Sequence, residues 1–299
     1  MRSKIIRVLA AFSVMLIVIS AAAVYRGEML ITRLYEVPCQ SSGKLRIVGL
    51  ADLHGNVIGE KQEKLIGAVK KADPDIVVYL GDMLEKTNAK ESAEVLIELT
   101  KQLVELAPVY YVDGNHELNI RRYDPEVYRQ LNEKLGDLGA VRLENEICSI
   151  NAGDENTAVN LCGITRHYSW REEEYSLTAD LRKMDGVNIL LCHYPESVIW
   201  YDAFHGGGLD LALCGHTHGG LIRVPVLGGY YAPEQSRWPK YDLGAYRMYT
   251  DTTKSDYGGK DGAEYLGTMI ISGGLAGEHG IPRLNNPMEV TVVEAEWAR

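Results

Sequence analysis

Eight polar side chains stand where apolar runs of this sequence end. Asp52 and His54 follow "KLRIVGLA", Asp82 follows "DIVVYLG", and Asn115 and His116 follow "PVYYVDG". His193 follows "VNILLC", and His216 and His218 follow "LDLALCG". Carboxylate, imidazole and amide oxygen suit divalent ions of the Mn, Fe and Zn group, not a calcium cage or an iron–sulfur cluster. Eight donors are too many for one ion. Two ions about 3.5–4 Å apart need a bridging carboxylate and can share a hydroxide. That hydroxide is a nucleophile at neutral pH, because metal binding lowers the pKa of water from about 15.7 to about 7. The same ions offset the charge that develops on a phosphate during in-line displacement. The chemistry expected is phosphoester hydrolysis without a protein nucleophile.

Such donors must be delivered to one place by the fold. From Lys44 the pattern is strand, loop, helix, repeated. "EKQEKLIGAVKKADP" has helical spacing and stops at Pro74, and "AKESAEVLIELTKQL" is amphipathic. Further helices are expected near 125–138 and 171–184. Strands alternating with helices predict βαβ units and a largely parallel sheet, whose ligand site lies beyond the carboxyl ends of the strands. Each of the eight residues falls at such an end. "AVRLENEICSI" and "TAVNLCGI" predict antiparallel pairing in a second sheet, and "EYLGTMIISGGLAG" and "MEVTVVEAEW" predict closing strands. Taken singly, each residue has a plain structural role: Asp52 or Asp82 capping a turn, Asn115 in a turn after glycine, a satisfied histidine. Five segments converging on one sheet edge is what favours a metal site. His216 and His218, one residue apart, point the same way from an extended chain, and the flanking glycines keep the loop small.

The chain of 299 residues is 46% hydrophobic with a net charge of -10, and no basic stripe is visible. No nucleic-acid partner is expected, because phosphate-backbone binding needs clustered Lys and Arg. Five cysteines, with no C-x-x-C, suggest buried thiols and no disulfide framework. At the N-terminus Arg2, Lys4 and Arg7 precede an uncharged, mostly apolar run from Val8 to Tyr25. That run is just long enough to cross a bilayer as a helix, and the alanines at 21–23 also offer a signal-peptide cleavage site. The organisation expected is a membrane anchor (or signal peptide) over 1–33 and one catalytic domain over 44–299. The positive-inside rule then places a single-pass protein in the cell membrane with its catalytic domain extracytoplasmic.

The series "DLH" (Asp52 to His54), "GDMLE" (Gly81 to Glu85), "GNHE" (Gly114 to Glu117), His193 and "GHTH" (Gly215 to His218) resembles the calcineurin-like metallophosphoesterase superfamily. The resemblance implies an α/β fold, a four-layer αββα sandwich of two mixed sheets flanked by helices, with two divalent metal ions (Mn, Fe or Zn). It also implies the ligand sets. Asp52, His54 and His218 would hold one ion with Asp82; Asn115, His193 and His216 would hold the other, with Asp82 bridging. His116 would stand near the leaving group as proton donor or transition-state stabiliser, oriented by Glu117. "GHTHGG", "YDLGAYR", "ISGGLAG" and "GIPRLNNPMEV" are similar to a bacterial subgroup of membrane-anchored or cell-wall phosphoesterases, including UDP-2,3-diacylglucosamine pyrophosphatase-related proteins. The chain departs from that subgroup at Gly273, where an Arg is usual, and at Glu85, where an Asp is usual.

The function expected is hydrolysis of a phosphodiester or pyrophosphate bond in a small-molecule or lipid-linked substrate, by attack of a metal-bridging hydroxide. The alternatives are a phosphomonoesterase or protein phosphatase on the same site, and a non-enzymatic binding module of the same fold. The tyrosine-rich stretch between Tyr230 and Tyr265 is either a wall over the metals or an exposed hairpin. Arg166 is a candidate phosphate contact, and His167, His205 and His279 are read as ordinary surface or loop residues.

Overall fold

The computed structural model describes residues 2–39, 43–153, 157–165, 170–250, 262–277 and 280–297; Arg166, His167 and His279 lie outside these. Alternate side chains of the central strands enter different cores. In β2 (Gly43–Leu50) Leu45 and Ile47 face one core, while Val48 and Leu50 face another. β3 (Ile76–Tyr79) splits in the same way, Ile76 and Val78 against Val77 and Tyr79. Strands buried on both faces belong to sheets covered on both sides, which is why their sequences read as unbroken apolar runs.

The first sheet runs β1 (Leu30–Cys39), β16 (Met288–Trp297), β2, β3, β4 (Val109–Tyr111), β5 (Val141–Arg142). β2 to β5 are mutually parallel, while β16 is antiparallel to β2 and parallel to β1. The second runs β14 (Gly244–Tyr249), β15 (Tyr265–Ile271), β9 (Leu211–Cys214), β8 (Val187–Cys192), β7 (Thr157–Ile164), β6 (Glu146–Ala152). Its four inner strands are parallel and its outer two antiparallel, so both sheets are mixed, as expected. Ile47 and Val78 of the first sheet share a core with Ile189 and Leu213 of the second, so the sheets stack face to face. Helices α2 (Glu63–Ala72), α3 (Ala89–Leu103) and α5 (Pro125–Asp137) cover the outer face of the first sheet through Leu65, Leu99 and Leu131. Helices α6 (Glu172–Leu181) and α7 (Pro195–Trp200) cover the second through Leu181 and Val198. The result is the four-layer αββα arrangement. Burying each such Leu or Val stabilises the fold by about 1.5–3 kcal/mol.

Three expectations need correcting. The domain does not begin at 44, because β1 pairs along its whole length with β16. It is an edge strand, where Pro38 is tolerated for want of a partner to its missing N–H. "GNHE" lies not on a strand end alone but at the start of a helix, α4 (Asn115–Tyr123). The N-terminal apolar run is helical, α1 (Arg2–Gly27). Yet among the described residues no helix is long and apolar enough to cross a membrane, so the expected transmembrane helix is not borne out. The last turn of α1 is docked on the domain: the Ala23 carbonyl accepts the Asn285 N–H at 2.8 Å, and a Cβ on Gly27 would strike the Arg283 carbonyl. Phe12, Val14, Ile17 and Val18 are exposed.

Candidate metal centre

The loops after the parallel strands carry the site, and their backbones are unusual. Asp52, His54, Asp82, His216 and His218 all have φ between 48° and 73°, the left-handed region that side chains disfavour. Each such residue stores about 1–3 kcal/mol of strain, which persists only where the surroundings enforce it. Here the loops are laced together. The Asp52 N–H donates to the Gly81 carbonyl at 3.1 Å, and the His54 N–H to the Asp82 carbonyl at 3.0 Å. Space is as constrained as direction: a Cβ on Gly114 would lie 2.3 Å from Asp82 Oδ1, so only glycine lets these loops meet.

The donors gather. One ligand atom each from Asp52, His54 and His218 lie within 4.8 Å of one another, and so do those of Asp82, His193 and His216. A third group, His54, Asp82 and His116, overlaps the first two. Asp82 Oδ2 is 3.3 Å from His193 Nε2 and 4.0 Å from His54 Nε2, while Asp82 Oδ1 accepts the His116 N–H at 2.8 Å. His216 and His218 thus fall in different groups, and Thr217 between them turns away to donate its hydroxyl to the Asp242 carbonyl. Asn115 opens α4 beside this cluster, half-buried.

These residues fit a pair of cations. Asp52 Oδ2 and Asn115 Oδ1 are buried atoms with no hydrogen-bond partner among the described residues. The Nδ1–H of His193 donates to the Leu80 carbonyl at 2.6 Å and that of His218 to the Ala276 carbonyl at 3.0 Å. Because a carbonyl only accepts, each ring is left with its Nε2 turned to the carboxylates, the orientation that metal-binding imidazoles need. Burial disfavours a charged ring at His193, yet Asp82 and Asp52 push its pKa up to about 10. Burial likewise opposes ionisation of Asp82, but His193, His116 and His54 hold its carboxyl well below the usual range. The carboxylates demand positive charge at this spot.

A family profile for calcineurin-like phosphoesterases matches residues 45–220, more than half of the chain. The chain belongs to this family. Its buried His and Asp groups match the two divalent metal ions that calcineurin-like phosphoesterases use. It is 30% identical over 184 residues to the metallophosphoesterase YkoQ of Bacillus subtilis (strain 168), covering 61% of this chain and 64% of that one. It is 27% identical over 203 residues to phosphodiesterase YaeI of Escherichia coli (strain K12), covering 66% and 69%. The chain thus spans less than two thirds of the length of YkoQ, and less than half that of the metallophosphoesterase of Helicobacter pylori (strain J99). Among solved structures, TT1561 of Thermus thermophilus aligns over 77% of this chain and 89% of its own, with 11% identity and a TM-score of 0.45.

Several supporting residues were not apparent, or were misread, in the sequence. Glu117, expected to orient His116, spends its carboxylate on the backbone of two loops. Its carboxylate accepts the N–H groups of Asp82, Leu84 and Gly114 at 2.8, 2.9 and 2.9 Å, so it ties the second-motif loop to the third. Its place three residues into a helix was the available signal. Glu85 stands between two rings, 3.3 Å from His54 Nδ1 and 3.6 Å from His116 Nδ1, and Lys86 Nζ lies 3.4 Å from His116 Nε2. Beside the tyrosine-rich stretch, Asp242 accepts from Arg223 and from the Gly229 N–H, both at 2.7 Å, fastening the hairpin of β10 (Arg223–Val224) and β11 (Gly228–Gly229), which precedes a second of β12 (Tyr231–Ala232) and β13 (Ser236–Arg237). Tyr230 packs edge-on against Trp238 at 5.4 Å. His205 is exposed and pairs with Asp202, as expected of a surface residue.

Glu196, three residues past His193, is a buried carboxyl whose Oε1 accepts from Gln235 Nε2 at 2.6 Å, while Oε2 has no hydrogen-bond partner among the described residues. Burial raises its pKa from 4.5 to about 7. The folded chain therefore favours the protonated form. That stabilisation is complete below 4.5 and is lost as pH rises through about 7. Relative to Glu196→Gln, wild type should lose at most about 3 kcal/mol of unfolding free energy across this window. Denaturant midpoints measured against pH for both proteins check it; parallel curves count against a buried neutral carboxyl.

Proposed function

We propose that the chain hydrolyses a phosphodiester or pyrophosphate bond of a lipid-linked or cell-envelope phosphoester. The observation that carries this reading is the pair of ligand groups, Asp52–His54–His218 and Asp82–His193–His216, side by side with His116 against them. Asp52, His54 and His218 would hold one ion, Asn115, His193 and His216 the other, with Asp82 shared. Bound ions there supply the acidity that activates water and the charge that offsets phosphate oxygens. The remaining roles fall to side chains. Asp82 keeps the two groups in register, and His116, outside both ligand sets, gives a proton to the departing oxygen. Similarity to YaeI, a phosphodiesterase, supports a diester substrate.

Localisation at the cell membrane through α1, with the catalytic domain extracytoplasmic, is proposed from the basic residues Arg2, Lys4 and Arg7 before the apolar run and from the exposed apolar side chains of α1. The deciding experiment uses the full chain purified in detergent, with metal quantified and turnover of bis(p-nitrophenyl) phosphate compared with p-nitrophenyl phosphate after Mn²⁺ loading. Two ions per chain and faster diester cleavage are expected. Faster monoester cleavage would favour a phosphomonoesterase, and neither metal nor hydrolysis a binding module.

A further inference from the structure

A cavity of about 610 Å³ opens where α1 ends, between the start of β1 and the β10–β11 hairpin. Arg26, Arg33 and Arg223 line it, together with Met29, Val224 and Val226. No carboxylate stands in its described lining, although the chain carries a net charge of -10. Two of the arginines are held from behind. Arg33 Nε donates to the buried Glu289 at 2.8 Å, and Arg223 Nη1 donates to Asp242 and to the Gly219 carbonyl, both at 2.7 Å. Each anchor uses one nitrogen of its guanidinium, so the remaining N–H groups are still donors. Arg26 is exposed, and no described residue forms an ion pair with it. Three forked cations around one space suit phosphate oxygens, which a guanidinium meets two at a time.

The hairpin supplies an independent observation. Its turn is Pro225, Val226 and Leu227, and both aliphatic side chains stand in water, Val226 entirely and Leu227 65% exposed. Turns that face only water carry Gly, Asn, Asp or Ser instead. Met29, in the lining of the same cavity, is 40% exposed and extends the apolar strip towards α1. Such a strip marks a contact surface. Its combination with the arginines selects the partner. A soluble anion or a nucleic acid would satisfy the guanidinium groups and leave the aliphatic tip in water. A bilayer with anionic headgroups accepts both, phosphate oxygens meeting the arginines and the acyl region receiving the tip. We infer that the β10–β11 hairpin and the Arg26–Arg33–Arg223 cavity dock on the headgroup layer of an anionic phospholipid bilayer. This contact is separate from the placement through α1 proposed above, on which it rests only for the presence of a membrane. Arg223 ties it to the Gly219 carbonyl, next in the chain to His218, so docking would fix how the metal-bearing loop faces the bilayer.

The test reads the tip itself, whatever α1 does. In the full chain Leu227→Cys carries an environment-sensitive nitrobenzoxadiazole dye, with Cys148→Ser to remove the one thiol that is not buried. On vesicles of phosphatidylcholine mixed with phosphatidylglycerol the dye emission should shift to the blue. The ratio of bilayer-inserted to water-exposed dye should be at least about tenfold higher there than on phosphatidylcholine alone. Arg26→Glu, at an exposed site, should lower that ratio at least about fivefold on the mixed vesicles only. Val226→Asp should lower it at least about tenfold on both. A dye that stays in water while the protein sediments with the mixed vesicles overturns the inference and leaves the placement through α1 intact. Insertion that is equal on both vesicles and indifferent to Arg26→Glu overturns the role of the arginines. Calorimetric binding of inorganic phosphate that Arg26→Glu removes, with a dye that vesicles do not move, assigns the cavity to a soluble anion and overturns the bilayer contact. Protein that sediments with neither vesicle overturns both readings together.

Discussion

Asp82→Asn should lower kcat/KM for a phosphodiester at least about 10³-fold and leave fewer than two ions bound per chain. A thousandfold loss is about 4 kcal/mol of transition-state stabilisation. The side chain is 1% exposed, and His193, His54 and the His116 backbone all approach its two oxygens. Asn keeps the size and one acceptor, so the His116 N–H can still be satisfied and the loops can still pack. What it removes is the charge. It also brings an NH₂ group, a donor only, to face either a cation or the imidazole Nε2 atoms. Glu85 is already engaged with His54 and His116, and Asp52 lies against His218. Metal analysis of the purified variant, with circular dichroism to establish folding, checks the claim. Two ions and more than about a tenth of wild-type turnover would remove Asp82 from the centre of the reaction.

The convergence of ligands was legible because strand ends are legible. An unbroken apolar run stops where the chain leaves the sheet, and a parallel sheet sends each such exit to the same edge. Hence Asp52, Asp82, His193 and His216 could be placed together without any structure. What escaped depends on partners distant in sequence or on weak periodicity. β1 does not announce itself as a strand, because its alternation is muted and it contains Pro38; only pairing with β16, more than 250 residues away, makes it one. α4, "NHELNIRRY", has too few apolar residues to announce a helix, and buries only His116, Glu117 and Ile120. The three N–H groups that Glu117 collects come from two loops whose meeting no local pattern encodes. The apolar run at the N-terminus shows the converse limit. Its composition signals a helix that avoids water, but says nothing of the Gly27–Arg283 contact that docks its last turn.

His116→Ala should keep both ions and slow the chemical step by about 10²–10⁴-fold, the usual contribution of a positioned proton donor. His116 is 1% exposed and its ring packs edge-on against His54 at 4.4 Å, so it stands close to the ligands, while Asp82 and His54 each have other partners to hold their places. Retained metal therefore separates this variant from Asp82→Asn. The identity of the leaving group separates proton transfer from mere positioning. An alkoxide departs from phosphorus only with a proton, whereas p-nitrophenolate leaves readily without one. The loss should reach its full size for a dialkyl phosphodiester, followed by alcohol release, and shrink to a few-fold for bis(p-nitrophenyl) phosphate. The value of KM should move little in either case, because the proton is needed in the transition state and not in the bound ground state. An equal loss with both leaving groups would assign His116 to holding Glu85 and Lys86 in place, and the proton would then have to come from another group.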